Sequence, residues 1–381
     1  QGLRSRYLSN VDYAAGGNPL VVSRSSSVPG PDGTAALRIS STTTDLLGRT
    51  VASTDGWGTT QTIAYGDESK PVTVTTTTAS GYTTTQTMTY DAAGNLKHTE
   101  VRDSIAGTTV LLSADAVYDA VGRITSATYS NGTSATFSYT PYEEAAGSAW
   151  TLADGTTWST SRSFSRAGRI LSATKTGGGR TAAVAYTYDT AARLKSATLT
   201  TDVAVSAKSW SFQYDADSNR TAQTVDGRTI TYAYDKADRL TTVTGDPTLS
   251  GSVGYDSFGD VTSIGPLRIT YDAAAMVTEL RDTATSNSVA FVYDADEKAI
   301  AKTTTTGGVT TTVRYSAGNL MLDGTSKPVG QQVSLPGGVT VQRTIGSVSS
   351  QSWLVAGLDD RTWFTVDAKG AATSGMALYS P

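Results

Sequence analysis

Short runs of alternating β-prone and polar residues, broken by tight polar reversals, fill most of this chain. Ile230-Thr231-Tyr232-Ala233-Tyr234 and Leu240-Thr241-Thr242-Val243-Thr244 flank the reversal Asp235-Lys236-Ala237-Asp238-Arg239. Period-two alternation on both sides of a polar turn predicts an antiparallel hairpin. Other runs, such as Thr73-Val74-Thr75-Thr76-Thr77-Thr78 and Thr303-Thr304-Thr305-Thr306, are polar or amphipathic on both faces. A sandwich core needs an apolar residue at every second position. The pattern therefore predicts one long curled sheet with at least one wet face, its edges paired by the next repeat.

The reversals repeat. Tyr-Asp before a small-residue turn recurs at Tyr90-Asp91, Tyr118-Asp119, Tyr188-Asp189, Tyr214-Asp215, Tyr234-Asp235, Tyr255-Asp256, Tyr271-Asp272 and Tyr293-Asp294, with degenerate copies at Thr44-Asp45, Phe164-Ser165 and Tyr315-Ser316 and another start at Tyr139. From Tyr188 to Tyr315 the steps are 26, 20, 21, 16, 22 and 22 residues, one supersecondary unit each, so each unit needs its neighbours to bury anything. The Asp can accept N–H groups of its own turn, and the fifth motif residue takes the left-handed seat of a bulged turn. Gly48, Gly94, Gly122, Gly168 and Gly259 occupy that seat; where Ala192, Ser218, Asp238, Ala275 and Glu297 replace glycine, either the seat is strained or the turn type differs. The Tyr ring is expected to pack along the ladder with its hydroxyl in water.

Between the motifs, Asn131-Gly132, Asp154-Gly155, Asp226-Gly227 and Gly307-Gly308 read as tight hairpin loops. Residues 1–41, with Val28-Pro29-Gly30-Pro31-Asp32-Gly33, form a less regular front segment, and residues 42–317 the repeat array. Residues 318–381 close it, with a turn at Leu335-Pro336-Gly337-Gly338, strands at Ser352-Trp353-Leu354-Val355 and Thr362-Trp363-Phe364-Thr365-Val366, and a reversal at Asp367-Ala368-Lys369-Gly370.

Composition fits this picture and removes alternatives. The 65 threonines, 19 tyrosines and 37 glycines are strand and turn material, while only 38% of residues are hydrophobic, so long helices are not expected. Cysteine is absent and His98 is the one histidine; disulfides, thiolate chemistry and imidazole-rich metal centres are excluded. Net charge is −4 with scattered Lys and Arg, which disfavours nucleic acid and anionic membrane as partners. No apolar run approaches a membrane span, and no signal sequence opens the chain. A start at Gln1 fits a piece excised from something longer.

Tyr90-Asp91-Ala92-Ala93-Gly94-Asn95 and Tyr118-Asp119-Ala120-Val121-Gly122-Arg123 resemble the YD repeat of Rhs proteins, and of the related wall-associated proteins, insecticidal toxin complexes and teneurins. The resemblance runs from about Thr44 to Ser316. It implies an all-β fold, an antiparallel hairpin ribbon spiralling into a hollow shell or barrel-like partial shell. In the toxins such a shell encloses a C-terminal polymorphic toxin, and in teneurins it is an extracellular scaffold. By resemblance the chain is a non-catalytic shell segment of a secreted or surface-exposed bacterial protein; the alternative is an extracellular adhesion or carbohydrate-binding module, or a subunit of a tubular surface assembly. Its partners would be its own C-terminal toxin or neighbouring shell segments, or a cell-surface glycan or protein. The family's core-end aspartate has no counterpart: Ser380 stands in its place, so the segment reads as ending before the core-end motif.

Other candidates have structural readings. His98 could serve a catalytic triad but fits a solvated strand position. Glu143-Glu144 could be paired carboxylates, although adjacent side chains usually diverge. Asp215-x-Asp217-x-Asn219 has the first spacings of a calcium loop, but Arg220 and Asp226 replace the Gly and Glu that loop requires. Trp57, Trp150, Trp158, Trp210, Trp353 and Trp363 could stack on sugars; bracing between repeats is the plainer role. No catalytic residue, metal or cofactor is expected, and the Tyr, Asp and Gly of the repeats are read as architectural.

Overall fold

A computed structural model describes residues 9–29, 35–66, 69–202, 208–294, 296–346, 350–374 and 376–377. The front reversal at residues 30–33 and residues 378–381, with Ser380, lie outside the described residues. Among the described residues there are 32 strands, two single 3-10 turns at Ala15–Gly17 and Ala317–Asn319, and no α-helix. No helix is long and apolar enough to cross a membrane. The strands join antiparallel into one sheet, each paired with its neighbour in the chain, as Lys208–Tyr214 pairs with Arg220–Val225 and that strand with Arg228–Tyr234. The all-β hairpin ribbon expected from the sequence is what forms.

The motif tyrosine marks a fixed irregularity. Ladder register slips at Thr89/Tyr90, Thr187/Tyr188, Gln213/Tyr214, Ala233/Tyr234, Gly254/Tyr255 and Val292/Tyr293. At each site an extra residue is fed into one strand, a bulge that adds local twist. The turn that follows is constant: Asp91 N–H donates to Asn95 O and Gly94 N–H to Asp91 O, both at 2.9 Å, and Asp119, Asp189 and Asp235 head the same arrangement. Ala192, Ser218, Asp238, Ala275 and Glu297 have φ between 59° and 72°, in the left-handed region. The turn type is therefore the same without glycine, and these residues carry its strain.

All four expected reversals are hairpin turns, but of two kinds. Asn131-Gly132 and Asp154-Gly155 have positive φ only at the glycine, 84° and 82°, and Tyr129 and Leu152 head the same five-residue bulged turn as the motif aspartates. A two-residue type I′ loop needs positive φ at both positions. Here the Asn131 and Asp154 side chains instead accept the N–H two residues on, from Thr133 at 3.2 Å and Thr156 at 2.9 Å. Asp226-Gly227 (49°, 83°) and Gly307-Gly308 (57°, 80°) do form two-residue loops with both φ positive.

The chain divides into two compact regions, one of Gln1–Ala116, Ile269–Pro336 and Thr340–Ser352, the other of Val117–Arg268, Gly337–Val339 and Trp353–Pro381. Each has its own buried centre, where late segments of the chain lie on one face of the ribbon. In the first region Val101, Leu112, Leu320, Leu322 and Val341 are buried with Thr59, Thr76, Thr84 and Thr99. The run 73–78 thus has a covered face with Thr76 and Thr78, while on its other face hydroxyls pair across the ladder, as Thr77 with Thr83 at 3.2 Å. In the second, Trp150, Trp158, Trp353, Trp363 and Phe364 are buried.

Candidate functional site

The motif aspartate works with both carboxylate oxygens. Asp119 Oδ1 accepts Val121 N–H at 3.0 Å and Arg123 N–H at 2.9 Å, while Oδ2 accepts Arg123 Nε at 2.8 Å. Asp235 does the same with Ala237 and Arg239, and Asp189 with Arg193; Asp91 and Asp215 take the amides of Asn95 and Asn219 instead. Asp256, Asp272 and Asp294 accept the N–H groups two and four residues on. In Asp119 and Asp189 these bonds favour the charged form. The Arg123 and Arg193 backbone N–H groups, first among other donors, hold Asp119 and Asp189 below the usual carboxylate range.

The motif tyrosine reaches back to the preceding repeat, so its hydroxyl is not left in water as the sequence suggested. Tyr90 donates to Pro71 O at 2.8 Å, Tyr188 to Ile170 O at 2.7 Å, Tyr214 to Leu194 O at 2.9 Å and Tyr234 to Arg220 O at 3.0 Å. Tyr255 and Tyr293 donate to Leu240 and Val277 carbonyls at 2.8 Å. Most of these acceptors begin the strand after the previous repeat's turn, which puts the tyrosine donor within reach of a carbonyl at that end. Tyr118 and Tyr271 end strands Leu112–Tyr118 and Leu267–Tyr271.

The sixth motif residue completes the joint, a role that sequence reasoning missed. The Arg193 guanidinium stacks 4.6 Å from the centre of the Tyr214 ring and donates to Asp215 O at 3.0 Å, while still holding Asp189. Arg49 lies over Tyr65, Arg123 over Tyr139 and Arg239 over Tyr255 in the same way. One repeat's Asp thus fixes an Arg that covers the next repeat's Tyr, whose hydroxyl bonds back. The Arg in Tyr-Asp-x-x-Gly-Arg was the available signal.

In the first region one such turn has a different duty. Asp55 Oδ1 accepts Trp57 and Thr59 N–H at 2.9 Å, but Oδ2 takes the Ser316 hydroxyl at 2.5 Å and the Ala317 N–H at 2.9 Å. Nearby, Arg343 donates to Asp103 Oδ2 at 2.7 Å, to the Tyr82 hydroxyl at 2.6 Å and to Gln331 Oε1 at 2.7 Å. The Arg343 and Asp103 side chains are 4% and 3% exposed. Burial alone would raise the Asp103 pKa; the Ala106 N–H, Arg343 and Tyr82 outweigh it and hold the carboxyl below its usual range. Charge and hydrogen bonds are matched here.

In the second region the centre is aromatic. Trp158 and Phe364 stack with centroids 4.4 Å apart, Trp150 meets Phe364 edge-on at 6.2 Å, and Tyr129 lies between Trp150 and Trp353. Trp158 and Trp150 are register partners, and a Cβ on Gly177 would collide with the Trp158 ring. Trp210 is buried as well, and Trp57 lies under Arg314 and donates to Tyr315 O at 3.0 Å. Trp150, Trp158, Trp210, Trp353 and Trp363 are buried and offer no open stacking face.

The remaining candidates are structural too. His98 pairs across the ladder with Asp115 at 2.8 Å. Glu143 holds a left-handed turn seat at φ 71°, and Glu144 accepts the Thr140 hydroxyl at 2.8 Å. Asn219 aims its amide at Asp215 and Asp238, the wrong polarity for a calcium ligand. Among the described residues no cluster of acidic or His side chains suits a metal.

Residues 141–316 match the family model of the teneurin YD-shell. The chain is similar in fold to the crystal structure of TcdB2-TccC3-Cdc42 (TM-score 0.62, 16% identity) and to the Tc holotoxin pore of Photorhabdus luminescens (TM-score 0.63, 15% identity). The likeness covers 93% and 94% of this chain but 19% of each of theirs, so the chain spans about a fifth of those structures' length. No curated protein matches it. The resemblance to YD-repeat shells read from the sequence is therefore borne out.

Proposed function

We propose that this YD-shell segment is a non-catalytic wall that keeps a polypeptide cargo, a C-terminal toxin of a secreted or surface-exposed bacterial protein, from its surroundings until delivery. The observation that carries the reading is the repeat-to-repeat joint. Tyr hydroxyls and Arg guanidinium groups tie each turn to the one before it, so a hairpin cannot lift away alone. The carboxylates of Asp119, Asp189 and Asp235 are engaged within their own turns, and the buried Asp103 with Arg343. In this reading residues 42–317 are the wall, residues 318–381 close it, and the repeat Tyr, Asp and Gly are architectural.

The test is protease protection in the full gene product that carries this chain. Under native conditions the polypeptide following Pro381 should resist proteinase K, and it should become sensitive when Arg343→Met loosens the first region. Digestion at the same rate in both proteins, or a gene product with no polypeptide beyond this segment, contradicts containment.

A further inference from the structure

In the first region the covered face of the ribbon carries a polar row that wall-building does not require. Thr42, Ser53, Gln61, Thr76 and Thr84 are successive register partners across strands Ala35–Thr44, Thr50–Thr54, Thr60–Tyr65, Pro71–Thr77 and Thr83–Tyr90, so their side chains share one face. Gln86 stands in the next row, between Val74 and Val101. The turn Ala317–Asn319 lies over this face: a Cβ on Gly318 would meet Thr76 Oγ1 at 2.7 Å. Asp55 accepts the Ala317 N–H at 2.9 Å, and the Gln331 amide donates to the Gly318 carbonyl at 3.1 Å, which fixes the turn in place.

Floor and turn border a cavity of about 530 Å³, within the range of about 300–1,000 Å³ usual for small-ligand sites. Hydroxyl and carboxamide side chains line it, with three valines and, among the described residues, no aromatic ring. Gln61 Nε2 donates to Thr76 Oγ1 at 3.2 Å and Gln86 Nε2 to Thr99 Oγ1 at 3.0 Å; Thr76 and Thr99 are buried. Each carboxamide is thus held at one end by a buried hydroxyl, and its oxygen is left for the cavity. Asn319, in the left-handed region at φ 54°, adds a third carboxamide to the lining. The charges favour a neutral ligand. Asp55, Asp294 and Asp296 would repel an anion. A cation finds them occupied: Asp296 by Arg24 at 2.8 Å, Asp55 by Ser316 and Ala317, and Asp294 by two N–H groups of its own turn.

We propose that this cavity binds a neutral sugar, its hydroxyls bonded to the carboxamides of Gln61, Gln86 and Asn319 and to the Ser53 hydroxyl. A sugar hydroxyl, like that of Ser or Thr, both donates and accepts, so it satisfies the anchored carbonyl oxygens and the Asn319 amide alike. A carboxamide fixed in advance also loses little rotamer freedom on binding. The proposal is independent of containment. The sugar is either free or the end of a glycan chain, and methyl glycosides separate the sources.

Saturation-transfer NMR on the whole chain tests this, with D-glucose, D-galactose, D-mannose and N-acetyl-D-glucosamine as probes and D-glucuronate and putrescine as charged controls. Saturable transfer is expected from at least one neutral sugar, and weaker binding from both controls. Gln61→Met and Gln86→Met keep the side-chain length and should each weaken binding about five- to tenfold, the loss of one hydrogen bond. Asn319→Gly suits the left-handed backbone, so it should weaken binding by a similar factor without lowering the Tm. Binding retained by the methyl glycoside of the best sugar assigns the site to glycan ends; binding lost there assigns it to free sugars. Three results overturn the proposal: no saturable transfer from any of the four sugars, equal binding of either charged control, or unchanged binding in Asn319→Gly and both glutamine variants.

Discussion

The two regions are held by the same turns but have opposite centres. In the first, a buried guanidinium satisfies Asp103, Tyr82 and Gln331; in the second, Trp150, Trp158, Trp353, Trp363 and Phe364 interlock. A matched ionic centre has fixed geometry but little net stability over an apolar replacement, whereas an aromatic centre draws its stability from area and packing. Local turn chemistry therefore builds the ribbon everywhere, and long-range contacts of different chemistry settle what lies on its face.

The largest effects should come from the centres themselves. Arg343→Met leaves Asp103 buried without its partner and should cost about 3–5 kcal/mol in chemical denaturation, while adding Asp103→Asn, which removes the charge and keeps an acceptor for the Ile105 and Ala106 N–H groups, should recover most of it. Trp150→Ala should cost about 3–5 kcal/mol as well, and no second truncation beside it should restore the loss. Failure of the double variant to recover would mean that the first centre also depends on packing.

Next come the turn seats, where the regions should agree. Gly48 and Gly155 have φ of 76° and 82°, and a Cβ added at either would meet open space, so alanine there acts through backbone strain alone. Each change should cost about 1–2 kcal/mol, and Ala275→Gly, in a strained seat, should stabilise. Unequal costs at the two glycines would break the equivalence of the turns. A smaller loss, about 1 kcal/mol, is expected for Tyr90→Phe and Tyr188→Phe alike, because each removes one hydrogen bond to the preceding repeat.

Acid should separate the regions. Motif carboxylates in both, such as Asp91 and Asp119, have folded-state pKa values below their ordinary ones. Their contribution is full above about pH 4 and is lost as pH falls through the lower folded values. The first region has the buried Asp103 in addition. Hydrogen exchange in strands Leu96–Asp103 and Val339–Thr344 should accelerate on acidification before the fluorescence of the buried tryptophans of the second region changes. The reverse order would contradict the ionic account of the first centre.

Much of this was legible in the sequence because it is local. Asp235 and its five-residue turn are adjacent in the chain, and alternation fixed the strands on either side. The Tyr hydroxyl was misjudged because its acceptor lies in the preceding repeat: Tyr214 reaches Leu194, and nothing near Tyr214 names that partner. Asn131-Gly132 marked its hairpin reversal, but dipeptide identity does not say which seat of the turn the glycine fills. The turn headed by Asp55 lacks the tyrosine on which the repeat was recognised, although an acceptor and a left-handed Gly58 suffice to build it. The Arg343–Asp103 pair joins residues far apart in the chain, and charge pattern alone could not pair them.

The central claim is that each repeat is fastened to the one before it at the turn. Amide hydrogen exchange in Tyr214→Phe tests it most directly. The account predicts faster exchange at both the Asp189–Arg193 turn and the Asp215–Asn219 turn, with more distant turns unchanged. Acceleration confined to Asp215–Asn219 would contradict it, since the tyrosine would then serve only its own hairpin.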